Sequence, residues 1–198
     1  MRGFLEFLNE GQVYEVLLVT RSNAAPVGVV RGGNRLFFKL FGGKSAKELR
    51  EHPHASVQVT NDVELIVKLA LNLPVELEFE DRGAHRWIRG LPGVYGPVMF
   101  TEEVHEDNLG KTSVLRCSLE PEGIIDGRLP PKPPSRADWH LLEMAVDFTR
   151  LGVALRNGKI EAAKKLRGRI VENYSSYLRF GGSSELAEII RAALDENG

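Results

Sequence analysis

The chain has 198 residues, of which 42% are hydrophobic and 27% charged, the balance of an ordinary folded protein rather than a disordered or fibrous one. Basic and acidic residues number 26 and 27, so the net charge of -1 gives no overall field that would attract nucleic acid or an anionic membrane. No segment has the pattern of a membrane span or a signal peptide. Because the single cysteine, Cys117, cannot form an internal disulfide, we expect a reduced, cytoplasmic protein.

The first two thirds of the chain are predicted to be rich in strands. Up to about residue 128, apolar residues alternate or form short runs separated by Gly, Pro and Asn. The predicted strands cover residues 13–21, 26–31, 35–41, 55–60, 64–71, 98–106 and 113–120 and a segment within 85–92. Two glycines in the sequence RGGN predict a tight hairpin turn between the second and third strands. One short helix is predicted from near Ser45 to a stop at Pro53.

The last third is predicted to be helical. Residues 129–134 are proline-rich and predict a stiff connector, since proline continues neither a ladder nor a helix. Beyond them the hydrophobic period becomes 3.6, which indicates amphipathic packing helices. The first would be capped by Ser135 or Asp138 and end at Asn157-Gly158. The second begins near Ile160, and the third follows residues 181–184.

The segment KLFGGKSAKEL carries an apolar strand into Gly42-Gly43-Lys44-Ser45 and then into a helix. A helix start offers unpaired amide hydrogens and a positive dipole end, and glycines let an anion approach the backbone closely. Lys44 adds a positive charge and Ser45 a hydroxyl. The pattern predicts a local phosphate site, with a plain turn from strand to helix as the alternative.

Two further observations bear on that prediction. A Walker P-loop is excluded, because its first glycine would fall at Phe38 inside a strand and the chain lacks alternating strands and helices. The connection Arg21-Ser22-Asn23 lies between the first two predicted strands and gathers polar groups. Such a loop can present donors to a ring rich in acceptors, as a flavin is, although an ordinary hairpin loop is the alternative.

In this order and spacing, these segments resemble a family of uncharacterised proteins, known chiefly from archaea and built on the FMN-binding split barrel. The resemblance covers nearly the whole chain. Its matching motifs are Ala25-Pro26-Val27-Gly28, residues 41–49, Thr60-Asn61-Asp62 and, in the tail, Arg136, Glu143 and Thr149-Arg150. Relatives carry a threonine and an asparagine further into the phosphate-loop helix, where this chain has Lys47 or Glu48 and no asparagine. Lys44 and Ser45 would take over their task.

The resemblance implies a mainly β, α+β fold, with an FMN-binding split β-barrel over 1–128 and a C-terminal helical extension over 135–198. It also implies a homodimer in which the partner chain completes the pocket. The phosphate is expected near Lys44 and Ser45, and the flavin ring near residues 22–27 and Asn61-Asp62. The implied cofactor-binding residues are Arg21, Ser22, Asn23, Ala25, Pro26, Val27, Phe41, Gly42, Gly43, Lys44, Ser45, Asn61 and Asp62.

The function implied is an FMN-dependent oxidoreductase, similar to a flavin reductase, that passes hydride between a reduced nicotinamide or deazaflavin and a small acceptor. Arg21, Ser22 and Asn61 are candidates for tuning the flavin, and no catalytic residue is identified. Because this fold also hosts proteins without turnover, a flavin-binding carrier, sensor or assembly protein is the alternative. A third hypothesis is a barrel that binds pyridoxal phosphate or a pterin.

Other clusters give weaker indications. His52-Pro53-His54 lacks a third ligand for a metal ion, and no metal site is expected. The acidic residues 102–107 are interpreted as a solvated strand edge rather than a cation site. Trp87, Tyr95 and Trp139 are candidates to cover a flavin face, with core or interface packing as the alternative. Neither nucleic acid nor a membrane is an expected partner.

Overall fold

A computed structural model of the chain describes residues 2–8, 10–11, 13–107, 110–127, 136–180 and 182–196. These residues form two compact units. The sheet unit lies within 1–60, 76–105 and 112–130, and the helical unit lies within 61–75, 106–111 and 131–198.

The sheet unit contains most of the strands and two helices. In chain order these are α1 (Arg2–Glu6), β1 (Val13–Val19), β2 (Ala24–Gly32), β3 (Arg35–Leu40), α2 (Gly43–Glu51), β4 (His54–Gln58), β5 (Phe79–Arg82), β6 (His85–Ile88), β7 (Gly93–Asp107), β8 (Gly110–Leu119) and β9 (Gly123–Ile125). Residues 106–111, where β7 leads into β8, group with the helical unit.

The main sheet closes on itself. Its strand order is β4-β1-β2-β3-β8-β7-β9, and β4 also pairs antiparallel with β7, which joins the two sides of the sheet. The β2–β3 hairpin pairs Gly32 with Arg35, and Gly33 has a φ of 59°, which favours glycine in this tight turn. Alternating burial along β3 shows one face turned toward the core. The predicted fold class, α+β and rich in strands, is confirmed, and the sheet is partly closed.

A separate two-stranded hairpin, β5–β6, is fixed to the sheet by the side chain of Gln58, which is fully buried. Gln58 Nε2 donates to the carbonyl oxygens of Ile88 at 2.8 Å and Leu91 at 2.7 Å, and its Oε1 accepts from the Ile88 amide at 2.7 Å. Ser56 Oγ adds a hydrogen bond to the Arg86 carbonyl at 2.7 Å. Polar side chains of β4 thus provide the hydrogen bonds that a further strand would have provided.

The helical unit contains α3 (Val63–Ala70), α4 (Arg136–Arg156), α5 (Ile160–Arg179) and α6 (Glu185–Glu196). Its core is formed by apolar side chains from all four helices, including Val67, Met144, Ile170 and Ile190. The described helices include none that is long and apolar enough to cross a bilayer.

The prediction of a strand over 64–71 is wrong, because these residues form most of α3. Asp62 caps this helix by accepting a hydrogen bond from the Leu65 amide at 3.0 Å. Apolar residues at 63, 66, 67 and 70 have helical spacing, and Ile66 and Val67 are buried, but Leu65 and Leu69 between them are apolar too. Because most residues of this segment are apolar or β-branched, the helical spacing was not recognised and a strand was predicted.

The other predicted elements compare with the structure as follows. The remaining seven strands and four helices are present, whereas α1, β5 and β9 had no recognised signal in the sequence. Because α4 begins at Arg136, Asp138 lies in its first turn and is not its cap. The predicted connector and Ser135 lie outside the described residues. Cys117 is buried on β8 as expected, and burial raises the pKa of its thiol to about 12, so it is not a reactive thiolate.

We expect Gln58→Met to destabilise the protein by about 2–3 kcal/mol, because it leaves the buried Ile88 amide and the partly buried Leu91 carbonyl without their partner and weakens the bonding of the Ile88 carbonyl, while nearly keeping the side-chain volume. Urea unfolding measures the loss. Gln58→Ala, which also removes volume, should cost more. An unchanged stability of Gln58→Met would show that these hydrogen bonds do not fix the hairpin.

Candidate functional site

The 20–23 loop connects β1 to β2 at one end of their ladder. Val19 pairs with Ala24, and the Thr20 amide donates to the Asn23 carbonyl at 2.8 Å, so the connection is short and closed. The side chains of Arg21 and Ser22 are exposed, and that of Asn23 is partly buried. The loop therefore presents polar groups from a fixed backbone turn.

The start of α2 lies just after β3 and has no side-chain cap. Gly42 has a φ of 76° and Gly43 a φ of 79°, a left-handed conformation that only glycine adopts readily. A Cβ atom built on either glycine would meet nothing within 4 Å, so the space beside this backbone is open. The first amides of an uncapped helix need acceptors, which makes this open end suitable for an anion.

Side chains of α2 contact the 20–23 loop directly. Asn23 Nδ2 donates to Ser45 Oγ at 2.8 Å, and Lys44 Nζ donates to the Ser22 carbonyl at 3.3 Å. Because Ser45 Oγ accepts from Asn23, its own proton is available to another acceptor. The structure thus brings together four of the residues predicted from the sequence: Ser22, Asn23, Lys44 and Ser45.

Glu48 is a residue of this cluster to which the sequence analysis gave no role. Its carboxylate accepts from Thr20 Oγ1 at 2.6 Å, the Ser22 amide at 2.9 Å and Ser22 Oγ at 2.5 Å, and lies 4.0 Å from Lys44 Nζ. Burial acts to raise the pKa of Glu48, but these hydrogen bonds and Lys44 outweigh it and hold the pKa below its usual value. Its spacing of four residues from Lys44 places both on one helix face and was an available signal.

The remaining predicted residues of the sheet unit have the following contacts and positions. Arg21 contacts the imidazole of His52, and its carbonyl accepts from Arg86 Nη1 at 3.4 Å. Phe41 is 56% exposed and contacts His105 edge-on, with ring centroids 5.5 Å apart. The last three lie on β2: Ala25, Pro26 and Val27.

Asn61 and Asp62 belong to the helical unit. They line a pocket of about 520 Å³ together with residues from the starts of α3, α4 and α6, and Asp62 caps α3 as described above. Tyr177 also lines this pocket, and its hydroxyl accepts from the Ser184 amide.

The aromatic candidates lie in different units. Trp87 stacks on Tyr95 in the sheet unit, with ring centroids 5.4 Å apart and an interplanar angle of 13°, and Tyr95 in turn contacts His85. Trp139 is on α4 in the helical unit and is 55% exposed. Trp87 and Tyr95 therefore pack on each other within the sheet unit.

The two histidines and three of the acidic side chains of residues 102–106 have other contacts in the structure. His52 contacts Arg21, whereas His54 packs edge-on against His85, so the two imidazoles have different neighbours. Three acidic side chains of residues 102–107 form ion pairs with basic residues: Glu102 with Arg50, Glu103 with Arg116 and Glu106 with Lys111. Among the described residues, no three side chains of His, Cys, Asp or Glu are arranged to hold a metal ion.

The geometry suits a phosphate monoester. The start of α2 offers backbone amides in open space, a lysine ammonium and a hydroxyl proton, all of which favour a dianion. Titratable side chains of the cluster are Arg21, Lys44, Glu48 and His52. The site is thus built for binding and orientation, and the neighbouring 20–23 loop can contact the remainder of a phosphorylated ligand.

Comparison with known proteins identifies the family. The uncharacterized protein MJ1453 of Methanocaldococcus jannaschii is 30% identical over 195 residues, which cover 90% of this chain and 96% of that protein. The FMN-bound protein MM1853 from Methanosarcina mazei, of the family model DUF447, has the same fold, with a TM-score of 0.62 at 19% identity over 93% of this chain and 94% of that one. A family model described as "Protein of unknown function (DUF447) N-terminal domain" matches residues 14–125, and the chain therefore belongs to this family.

Proposed function

We propose that this protein is an FMN-binding flavoprotein that holds the phosphate of FMN at the start of α2. The observation that carries the proposal is the uncapped helix end, where the backbone of Gly42 and Gly43 faces open space next to the exposed Lys44, with the buried Ser45 one residue further along. A dianion there would receive hydrogen bonds from backbone amides and the Ser45 hydroxyl, and a charge interaction from Lys44. The chain has a net charge of only -1, so this attraction is local.

The flavin ring would lie beside residues 22–27. The loop that begins this segment is joined to α2 through Asn23 and Ser45, so the donors for the phosphate and those for the ring belong to one connected cluster. A fold shared with a family member that is FMN-bound supports the same assignment.

We also propose that the protein is a homodimer whose partner chain completes the flavin pocket. The sheet unit exposes several large apolar side chains: Phe37 at 44%, Phe41 at 56%, Met99 at 52% and Val104 at 76%. Covering such side chains in an interface removes apolar surface from water. The buried, reduced Cys117 supports a cytoplasmic location for the assembly.

As an enzyme, the protein would be an oxidoreductase that acts between a reduced nicotinamide or deazaflavin and a small acceptor. Bound FMN supplies the hydride chemistry, and the chain would contribute binding, orientation and electrostatics. Hydrogen-bond donors of Arg21 and Asn23 in the 20–23 loop would tune the redox potential of the ring, since the Ser22 amide and hydroxyl already donate to Glu48. A flavin carrier or sensor needs the same contacts without turnover.

Lys44→Ala should weaken FMN binding about tenfold, because it removes a charge-assisted contact of about 1.5 kcal/mol with the phosphate. Riboflavin lacks the phosphate, so its affinity should fall less than that of FMN, by only the loss of the Lys44 contact with the Ser22 carbonyl. Lys47→Ala is the control, since Lys47 is an exposed lysine of the same helix. Fluorescence quenching measures both affinities. Equal losses for FMN and riboflavin would place the phosphate elsewhere, and a wild-type protein indifferent to FMN would refute the proposal.

Mixing the FMN-loaded protein with donors under anaerobic conditions separates an enzyme from a carrier. We expect rapid loss of the oxidised flavin absorbance with NADH, NADPH or a reduced deazaflavin, and reoxidation by a small acceptor. Free FMN with the same donors is the control. If the protein-bound flavin responds to every donor no faster than free FMN, the carrier function is favoured.

Sedimentation equilibrium should give twice the mass of one chain. Phe37→Asp combined with Val104→Asp should shift the protein to monomer, because each change would place a charge in the apolar interface. Lys164→Asp, at an exposed position of α5, is the control and should leave the mass unchanged. A monomeric wild-type protein would contradict the dimer.

A further inference from the structure

Glu48 joins the 20–23 loop to α2. Its side chain is only 13% exposed, and its carboxylate accepts hydrogen bonds from the Thr20 hydroxyl and from both the amide and the hydroxyl of Ser22. No other acceptor of the Ser22 amide is present among the described residues. One carboxylate of the neighbouring helix therefore provides three of the hydrogen bonds that hold this exposed loop.

The donors that Glu48 occupies belong to the loop. The amides at the start of α2 are not among them, and the Ser45 hydroxyl is engaged as an acceptor by Asn23 instead. A carboxylate that competed with a bound phosphate would occupy the donors of the helix end. Glu48 lies one turn further along α2 and faces the loop, so its contacts leave those donors available.

We propose that Glu48 is a positioning residue that fixes the 20–23 loop in the conformation that receives the flavin ring, an inference that rests on the proposed function. Glu48 acts through Ser22 and Thr20 and does not contact the phosphate. Lys44 complements it, because its ammonium binds the Ser22 carbonyl while Glu48 binds the Ser22 amide. Both polar groups of the Ser22 backbone are thereby fixed by α2.

This role carries a pH dependence. Since the pKa of Glu48 is lowered in the ordered loop, ionised Glu48 stabilises that loop, and the stabilisation is lost as pH falls below the usual carboxyl value of 4.5. Four titratable groups lie around the carboxylate. Lys44 is on α2, and Arg21 is in the loop, where its side chain contacts His52. Arg86 of β6 donates to the Arg21 carbonyl. Riboflavin is the suitable probe, because FMN carries a phosphate that titrates itself.

The test compares Glu48→Ala and Glu48→Gln with Glu51→Gln, an exposed glutamate of the same helix, in the full chain. Glu48→Ala should weaken riboflavin and FMN binding equally, by about tenfold, and should speed amide hydrogen exchange at Ser22. Riboflavin affinity of the wild type should fall below pH 4.5, whereas Glu48→Gln should lack that dependence. Glu51→Gln should match the wild type throughout.

Three results would overturn the inference. Unchanged riboflavin affinity in both Glu48 variants would show that the loop needs no such support. Tighter FMN binding with unchanged riboflavin binding would show that the carboxylate competes with the phosphate. A wild-type protein that binds neither flavin would refute the proposed function and this inference together. If the wild type binds FMN and only Lys44→Ala, not the Glu48 variants, weakens that binding, the proposed function stands and this inference is wrong. Glu48→Gln decides the matter if Glu48→Ala does not fold.

Discussion

The proposed anion site depends on the backbone amides at the start of α2, a helix end without a side-chain cap. Gly42 and Gly43 turn the chain from β3 into the helix with left-handed backbone angles and leave no side chain to cap it. Water can hydrogen-bond these exposed donors, but an anion would gain from the amides, the positive helix end and the nearby Lys44 together. In the proposed site, local backbone geometry would attract the anion more than the overall charge of -1 does.

The sheet unit also fixes the 20–23 loop, which contacts that helix end. The 20–23 loop is closed by the β1–β2 ladder on one side and held by Asn23–Ser45, Lys44–Ser22 and Glu48 contacts on the other. Because strands that close into a ring restrict one another, the loop and the helix start have little freedom to separate. A ligand would therefore meet an ordered site, and less of its binding energy would be spent on ordering the loop.

Much of the fold was predictable from hydrophobic period. The cluster formed by residues 22, 23, 44 and 45 was predictable from its glycine-rich and polar segments. The glycine pair before a lysine and a serine was enough to predict that a helix begins there. Helix α3 was missed because its apolar run resembles a strand unless the Asp62 cap is counted. The contacts of Glu48 with Thr20 and of Gln58 with Ile88 join residues 28 and 30 positions apart, and no local pattern specifies such pairs. Likewise, nothing in the local sequence indicates that Asn61 and Asp62 belong with the helical unit.

The most direct measurement is an amide nuclear magnetic resonance titration of the labelled protein with FMN and, separately, with riboflavin. Phosphate at the start of α2 predicts large shifts of the Gly43, Lys44 and Ser45 amide signals with FMN that are absent with riboflavin, while signals of the 20–23 loop respond to both. If the amides of residues 43–45 stay unmoved at saturating FMN, the central claim is contradicted.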